Sequence, residues 1–268
     1  MNKLDIGFIG AGNMAGAIMN GIVGAGKVPP GCIGVYDVDA EKRTIWSDRC
    51  FAVFEDIPSL VKNCSTVVLA VKPQVFPQVL PQVRQGISPK TVLVSIAAGI
   101  TTASIKEAMG FDCKVIRVMP NTPLLLGAGA SALSREQPVS DAEFDFVMDV
   151  FAAAGIAREV EPTQMNQIIP VNGSSPAFVY LMAKTVVDWA EKKGIDSESA
   201  MSLFCQTLTG SARMLMESGK SPQALIDMVC SPGGTTLASM EALRQHNYTG
   251  VMEEALDACV KRADELAR

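Results

Sequence analysis

Two glycine-rich strings in this chain are candidates for anion binding, and the first lies near the N-terminus. Residues 4–15 read Leu-Asp-Ile-Gly-Phe-Ile-Gly-Ala-Gly-Asn-Met-Ala, a short apolar run that leads directly into Gly-x-Gly-x-x-Ala. In that pattern Gly10 makes a tight turn, Gly12 lets the backbone approach a pyrophosphate, and Ala15 keeps the next helix close to the sheet. Free amide groups at the start of that helix then face the phosphates.

The flanking segments support a dinucleotide site. Residues 6–9 read as a buried strand and residues 14–23 as a helix, and a second strand over 32–36 ends in Asp37. A carboxylate about twenty residues after the glycines is where a ribose-binding group belongs. The sequence therefore predicts a dinucleotide held by residues of the loop and by that carboxylate, namely Ile9, Gly10, Ala11, Gly12, Asn13, Met14 and Asp37.

The second string is Cys230-Ser231-Pro232-Gly233-Gly234-Thr235-Thr236, which opens a helical pattern. Ser231 is a candidate helix cap, and the two glycines expose bare backbone before amide groups that point out of the helix start. Such a start binds anions, although an ordinary loop and cap would explain the same string. If it does bind an anion, we expect a small carboxylate, because the first loop already takes the cofactor phosphates.

Other polar candidates each have a simpler explanation. Lys72 precedes a proline at a strand end and is either a catalytic acid or a solvated lysine near a cofactor. The small-residue helix start at 173–178 either packs close to the nicotinamide or substrate or makes a tight helix contact. His246, the one histidine, lies at a predicted helix C-terminus, where a favourable dipole contact accounts for it.

The lack of a poised histidine bears on the reaction. Alcohol oxidation by nicotinamide enzymes needs a general base with a pKa near neutrality. Reduction of an imine needs less help, because a protonated C=N group is already an electrophile. A site that orients the imine and holds its carboxylate works mainly by proximity, with a hydroxyl such as that of Thr236 donating a hydrogen bond or relaying a proton.

The first 160 residues alternate strand and helix patterns, as in a parallel sheet covered on both faces. Further strands are predicted over residues 66–70, 91–96, 114–118, 131–133 and 157–160. Ligands in that architecture bind beyond the carboxyl ends of the strands. Three small-residue turns should line one crevice there with the glycine loop, at residues 70–73, 97–99 and 119–123.

After residue 161 the strand signal disappears, and helical patterns follow over 175–193, 197–218, 222–230, 235–246 and 251–266. Residues 199–216 are apolar on more than one face, and such a helix needs cover from several neighbours. The sequence predicts interdigitation with a second subunit. The expected α/β protein has an N-terminal Rossmann-like, doubly wound parallel sheet (1–160) and a C-terminal all-helical domain for dimerisation and substrate binding (161–268).

Composition narrows the class of protein. With 23 Lys and Arg against 28 Asp and Glu, the net charge of −5 gives no nucleic-acid footprint. One histidine and seven irregularly spaced cysteines without a C-x-x-C motif argue against a metal site. Reduced thiols fit a cytoplasmic protein. No apolar stretch of membrane-spanning length occurs, which argues against membrane insertion.

Taken together, the motifs resemble those of the delta-1-pyrroline-5-carboxylate reductases over essentially the whole chain. The glycine loop is shared with many dehydrogenases. The Met-Pro-Asn-Thr-Pro string at 119–123 and the Ser-Pro-Gly-Gly-Thr-Thr string at 231–236 are far more specific, and they occur in this order and spacing. The strings Ala-Val-Lys-Pro at 70–73, Ala-Ala-Gly at 97–99 and Gly-Ser-Ser-Pro-Ala-Phe at 173–178 add to the resemblance.

The resemblance implies reduction of (S)-1-pyrroline-5-carboxylate to L-proline by NADPH or NADH, the final step of proline biosynthesis, with no metal. In the family the second string binds the substrate carboxylate and its last threonine lies near the imine nitrogen, which implies roles here for Ser231, Gly233, Gly234, Thr235 and Thr236. Cofactor contacts carry over to Ala70, Val71, Lys72, Pro73, Ala97, Ala98 and Gly99. The family also implies an intertwined homodimer, with dimers commonly assembling into decamers.

Two departures from the family pattern stand out. Many members have Gly-Ser-Gly-Pro-Ala-Tyr where this chain has Ser175 and Phe178, a change we expect to matter little. Many members that use NADPH have a small hydroxyl residue at the position of Asp37. A carboxylate there suits the ribose of NADH and repels a 2′-phosphate, unless Lys42 or Arg43 reaches that phosphate. We therefore expect unusually good use of NADH.

Two other functions fit parts of the sequence. A 3-hydroxyacid dehydrogenase of the 6-phosphogluconate dehydrogenase type shares the start of the chain, but residues 165–195 lack a catalytic lysine in the expected Gly-x-x-x-Asn setting. A non-catalytic dinucleotide sensor has no reason to keep a second anion-binding helix start at residues 231–236.

Overall fold

The structure is a computed structural model, and it describes residues 3–266. An eight-stranded sheet has the order β3-β2-β1-β4-β5-β6-β7-β8. The strands are β1 (Leu4–Ile9), β2 (Ile33–Tyr36), β3 (Ala52–Val53), β4 (Cys64–Leu69), β5 (Val92–Ser95), β6 (Lys114–Met119), β7 (Gly129–Arg135) and β8 (Gly155–Glu159).

The central strands are buried on both faces because their sequences are nearly continuous apolar runs. On β1, Ile6, Phe8 and Ile9 are each at most 1% exposed although their side chains alternate between the two faces of the sheet. β1 pairs in parallel with β2 and β4, so the strand order reverses next to it. The predicted strands are confirmed to within a few residues, and the two-residue β3 was not predicted.

Helices alternate with the strands along the chain, and further helices follow the last strand. They are α1 (Asn13–Gly24), α2 (Ala40–Ser47), α3 (Ile57–Asn63), α4 (Phe76–Gly86), α5 (Thr102–Met109), α6 (Asp141–Ala152), α7 (Ser175–Lys192), α8 (Ser197–Glu217), α9 (Pro222–Val229), α10 (Thr235–Gln245) and α11 (Tyr248–Leu266). Within residues 3–266, no helix is both long enough and apolar enough to cross a membrane.

The last two strands differ from the fully parallel sheet that the sequence predicts. β7 runs antiparallel to β6, and β8 runs parallel to β7. Only residues 120–128 connect β6 to β7, whereas a parallel crossover needs about a dozen residues or more. The chain therefore turns back through a short 3₁₀ segment, Thr122–Leu126, and pairs beside the strand it has just left.

By packing, the chain divides into two compact units, residues 1–176 with 259–268 and residues 177–258. We call them the sheet unit and the helical unit. The sheet unit continues past the expected boundary at residue 161, because Met165 and Ile169 are buried against Met119 and Ala132 of the sheet. It also includes the C-terminal end of α11, where Ala263 joins the same apolar cluster.

The helical unit leaves many large apolar side chains exposed. On α8 only Ala200 is buried, while Leu203 is 71% exposed and Met216 is 74% exposed. On α7, Leu181 is 64% exposed. Exposed apolar area on this scale marks a surface that binds another protein, in keeping with the prediction that a second subunit covers these helices.

Candidate functional site

The glycine turn after β1 requires glycine at its first position. Gly10 has a φ of +99°, and a Cβ there would lie 2.5 Å from the carbonyl oxygen of Ala70. The Gly10 amide donates a 2.8 Å hydrogen bond to the Tyr36 carbonyl, and the Ala70 amide donates a 2.9 Å bond to the Ile9 carbonyl. The turn is thus fixed between β2 and β4, where the strand order reverses, the place at which such sheets bind ligands.

Gly12, two residues later, has a different environment. It is the N-cap of α1, no side chain caps the helix start, and a Cβ placed on Gly12 would meet nothing within 4 Å. The helix start therefore presents open backbone beside free amide groups, which is the arrangement that binds a pyrophosphate. Asn13 and Met14 begin the helix, and Ala15 is 1% exposed against the core, as predicted.

Asp37 lies beside this turn and fixes the loop with its own carboxylate. One oxygen accepts a 2.7 Å hydrogen bond from the Ala11 amide, and the other accepts a 3.0 Å bond from the Asp39 amide. The side chain is only 12% exposed. A negative charge is therefore held at the carboxyl end of β2, directly against the glycine turn.

The two nearby cations are already engaged. The Arg43 guanidinium donates from Nη1 to the carbonyl oxygen of Asp37 at 2.7 Å and from Nη2 to Glu55 at 3.1 Å. Lys42 Nζ lies 3.8 Å from an Asp37 carboxylate oxygen and 3.9 Å from one of Asp39. Both cations thus interact with nearby carboxylate or carbonyl oxygens, and the contacts of Lys42 are longer than those of Arg43.

The other predicted cofactor residues lie in turns at the same edge of the sheet. Ala70, Val71, Lys72 and Pro73 follow β4, and Ala97, Ala98 and Gly99 follow β5. Because β1, β2, β4 and β5 are neighbouring parallel strands, their carboxyl ends bring these turns to one side of the sheet. Lys72 is exposed.

Two asparagine side chains, Asn121 and Asn172, form a set of hydrogen bonds at this edge of the sheet, which we call the clasp. Neither residue was individually predicted to have a role. The Asn172 side-chain amide donates to the carbonyl oxygens of Met119 at 2.7 Å and Ala130 at 3.0 Å. The Asn121 side chain in turn donates to the Asn172 carbonyl and accepts from the Ala130 amide. The clasp ties both arms of the 120–128 turn to the π-helical turn Ile169–Gly173 that precedes α7. The sequence signal available for this contact was Asn172, a polar residue among apolar and small neighbours.

The second predicted helix start lies in the helical unit. Residues 231–234 form a turn in which the Gly234 amide donates to the Ser231 carbonyl at 3.0 Å, and Gly233 has a φ of +70°. Pro at the second and Gly at the third position are what a type II turn requires. Gly234 is the N-cap of α10 and no side chain caps the helix. The amides of Thr235, Thr236 and Leu237 precede the first intrahelical bond and are free for an anion.

The structure tests two local predictions. The prediction that Ser231 caps α10 is wrong, since Gly234 takes that position. Ser175 is the first residue of α7, and its hydroxyl donates to the Pro170 carbonyl at 2.6 Å. His246 does lie at the C-terminal end of α10, as predicted.

An apolar groove runs past the second helix start within the helical unit. It has a volume of about 1100 Å³ and is lined mainly by α8 and α9, with Cys230, Thr236 and Met240 contributing. Met214, Leu215 and Met228 in its lining are 42–59% exposed. Among residues 3–266 no three His, Cys, Asp or Glu side chains cluster closely enough to hold a metal ion.

Sequence comparisons connect both halves of the chain to known proteins. Residues 162–266 match a family model described as pyrroline-5-carboxylate reductase dimerisation, and residues 5–99 match one described as NADP oxidoreductase, coenzyme F420-dependent. A pyrroline-5-carboxylate reductase of Pseudomonas aeruginosa is 37% identical over 269 residues, covering 100% of this chain and 98% of the relative.

Solved structures agree with the sequence comparisons. A pyrroline-5-carboxylate reductase from Coxiella burnetii superposes with a TM-score of 0.90 at 32% identity, covering both chains completely. A pyrroline carboxylate reductase from Plasmodium falciparum, solved with NADP bound, has the same TM-score at 27% identity and also covers both chains completely.

Proposed function

The chain belongs to the pyrroline-5-carboxylate reductase family, and on that premise we propose how its two uncapped helix starts divide the work of the reaction. The protein reduces (S)-1-pyrroline-5-carboxylate to L-proline, the last step of proline biosynthesis. The observation that carries the proposal is that α1 and α10 both begin at a glycine N-cap with no side-chain cap. Two such starts suit two anions, the dinucleotide pyrophosphate and the substrate carboxylate.

The first helix start holds the cofactor in this proposal. Gly10 fills a position with no room for a side chain, whereas Gly12 faces open space at the start of α1, and together they form a cradle for phosphates. The residues around the cradle are Ile9, Ala11, Asn13, Met14 and Asp37, with the turns after β4 and β5. When bound, the reduced nicotinamide supplies the hydride that adds to the imine carbon.

We propose that the protein uses NADH efficiently. The Asp37 carboxylate is nearly buried against the Ala11 amide, and a 2′-phosphate at that place would meet its negative charge. Arg43 is held by the Asp37 carbonyl and Glu55, so Lys42 is the more available of these two cations for such a phosphate. A ribose 2′-hydroxyl, by contrast, needs only an acceptor, and the carboxylate provides one.

The second helix start holds the substrate. The carboxylate of the imine would accept hydrogen bonds from the free amides at 235–237, with Ser231, Gly233 and Gly234 shaping the approach. Thr236, at the second helical position, would place its hydroxyl near the imine nitrogen and donate a hydrogen bond or relay one proton. Binding the ring through its carboxylate fixes its orientation, and orientation supplies most of what a protonated imine needs.

The helical unit forms the homodimer in this proposal. The family model matched by residues 162–266 is named for dimerisation, and α7 and α8 carry the side chains exposed in the single chain, with Leu203 and Met216 more than 70% exposed. A second copy inserted into the groove along α8 and α9 would bury the exposed side chains that line it, Met214, Leu215 and Met228. Further assembly of dimers, into a decamer as is common in the family, is part of the same proposal.

We also propose a cytoplasmic location. All seven cysteines are unpaired in the described structure, including Cys50 and Cys205, which are exposed. Exposed free thiols are stable in a reducing compartment.

A direct assay separates this function from its rivals. Purified protein is incubated with pyrroline-5-carboxylate and NADH or NADPH, and in parallel with 3-hydroxy acids and NAD⁺ or NADP⁺. We expect turnover only with the imine. Turnover with a 3-hydroxy acid would favour a dehydrogenase of the 6-phosphogluconate type, and dinucleotide binding with no turnover at all would favour a sensor.

A further inference from the structure

The last two turns of α11 pack in the sheet unit, although the rest of that helix belongs to the helical unit. Ala263 is 4% exposed, and Cys259 Sγ lies 3.3 Å from Ser174 Oγ. The apolar cluster around Ala263 consists of Met119, Ala132, Met165 and Ile169, with Ala98 packed against it. Because Ala98 belongs to the turn after β5, this end of α11 shares a cluster with a proposed cofactor turn.

The final residue of α11 also approaches that turn directly. Gly99 has a φ of +75°, and a Cβ built on it would lie 2.7 Å from Leu266 Cβ. The backbone of the 97–99 turn therefore lies against the C-terminal end of the helix, with no space for a side chain between them. Displacement of the end of α11 would remove the contact that supports this turn.

A polar relay fixes the end of α11 to the sheet. The Asn166 side chain donates to Asp264 Oδ1 at 2.7 Å and accepts from Arg117 Nη2 at 3.2 Å. Within residues 3–266 no carboxylate lies within 4.0 Å of Arg117, and burial lowers the pKa of its guanidinium. Asn166 thus bridges the partly buried guanidinium of Arg117 on β6 and the carboxylate of Asp264 on α11, two groups that do not contact each other directly.

From these contacts we propose that Asn166 and Asp264 are positioning residues for the dinucleotide. They hold the last eight residues of α11 in place, and this part of the helix supports the backbone of residues 97–99. Neither residue touches the reacting atoms. The inference rests on the proposed cofactor role of Ala97, Ala98 and Gly99, and it adds that the C-terminal end of α11 sets the affinity for NADH and NADPH alike.

The test is dinucleotide binding by D264A and N166A in the full chain, followed by nicotinamide fluorescence. We expect each variant to bind NADH and NADPH about 3- to 10-fold more weakly, the net value of one ordinary intramolecular hydrogen bond. The double variant should bind no more weakly than either single variant, because the two substitutions break one shared relay. At saturating cofactor, kcat and the KM for the imine should remain at wild-type values.

D257A is the matched control. Asp257 is an exposed residue of the same helix, and its carboxylate makes no hydrogen bond or ion pair with any residue in the described range 3–266. The D257A variant should bind both dinucleotides as wild type does. If D264A proves unstable, D264N provides the test, because it keeps an acceptor for Asn166 and removes the charge. D264N should then weaken binding less than N166A does.

The inference would be overturned by wild-type dinucleotide affinity in both N166A and D264A (or its substitute D264N), or by a loss in the double variant equal to the product of the single losses. A fall in kcat at saturating cofactor with unchanged dinucleotide affinity would also contradict it. Because binding is measured without substrate, these outcomes stay separate from the proposed reaction, whose failure would appear as a lack of turnover by the wild-type protein.

Discussion

The Asp37 carboxylate accepts a 2.7 Å hydrogen bond from the Ala11 amide, which joins the charge at the end of β2 to the glycine turn proposed to receive the pyrophosphate. The proposal therefore makes the choice of dinucleotide and the shape of the phosphate cradle depend on the same side chain. It also lets the effect of the charge be separated from that of the hydrogen bond, because asparagine keeps an acceptor oxygen at the same place.

The first prediction concerns that charge. In D37N the repulsion of a 2′-phosphate disappears while the Ala11 amide keeps its acceptor. We expect the ratio of kcat/KM for NADPH to that for NADH to rise about tenfold, which corresponds to roughly 1.4 kcal/mol. Steady-state kinetics with both cofactors at a fixed imine concentration measures this ratio.

D39N serves as the control for D37N. It removes one negative charge from the same loop, and asparagine replaces aspartate well as the N-cap of α2. Its cofactor ratio should stay near the wild-type value. Equal ratios in D37N and wild type would mean that Asp37 does not discriminate between the cofactors.

The second prediction contrasts the two loop glycines. In G10A the new Cβ would overlap the Ala70 carbonyl at a φ of +99°, so we expect a loss of about 2–4 kcal/mol in the free energy of unfolding. In G12A the Cβ meets nothing within 4 Å. Stability should then change by less than about 1 kcal/mol, whereas dinucleotide affinity should fall more than about tenfold because the Cβ occupies the phosphate approach.

Urea unfolding and fluorescence titration with NADH measure the two effects of the glycine substitutions separately. A G12A protein that binds NADH as wild type does would place the pyrophosphate elsewhere. A G10A protein as stable as wild type would contradict the geometry of the turn.

The third prediction concerns Thr236. Loss of the hydroxyl in T236A removes the hydrogen-bond donor proposed for the imine nitrogen, and we expect kcat to fall about tenfold or more. The dinucleotide Kd should change less than about twofold, since Thr236 is not part of the cofactor cradle. T236S keeps a hydroxyl and should retain most of the activity. Wild-type kcat in T236A would remove this residue from the mechanism.

The fourth prediction is a loss of stability at alkaline pH caused by Cys64. Burial raises the pKa of this thiol from 9.0 to about 12. Below pH 9 both folded and unfolded chains keep the proton and the contribution is complete. Between pH 9 and 12 the unfolded chain loses its proton while the folded chain keeps it, so stability falls by about 1.4 kcal/mol per pH unit.

Urea unfolding of wild type and C64A at pH 8 and pH 10.5 isolates this effect. Other groups titrate in both proteins, so the quantity of interest is the difference between their pH dependences. We expect wild type to lose about 2 kcal/mol more than C64A over this interval. Equal losses would show that the Cys64 thiol is not protected by burial.

The sheet was predictable because its central strands are short, apolar and bounded by turn residues. The direction of β7 was not, since Ser131 and its neighbours read the same in a parallel or an antiparallel strand. Only the length of the 120–128 connection decides it. Likewise, the apolar pattern of α11 marks which face is covered, but it does not reveal that Ala263 packs in the sheet unit with Met119.

The candidate site was predictable where backbone conformation requires a particular residue. Gly10 has a positive φ value, and its sequence context predicted the tight turn there. Ser231 was misassigned as a cap because serine before a helix commonly caps it, yet the intervening turn gives that position to Gly234. The asparagine clasp of Asn121 and Asn172 joins residues far apart in the sequence, so the isolated polar residue at 172 did not reveal its partner.

The central claim is that hydride passes from a dinucleotide held by α1 to an imine held by α10. It is tested most directly by isotope transfer, with NADH deuterated at the transferable position of nicotinamide C4 and pyrroline-5-carboxylate as substrate. We predict L-proline that carries one deuterium at C5, formed mole for mole with oxidised NADH. Oxidation of NADH without proline, or proline without deuterium at C5, would contradict the account.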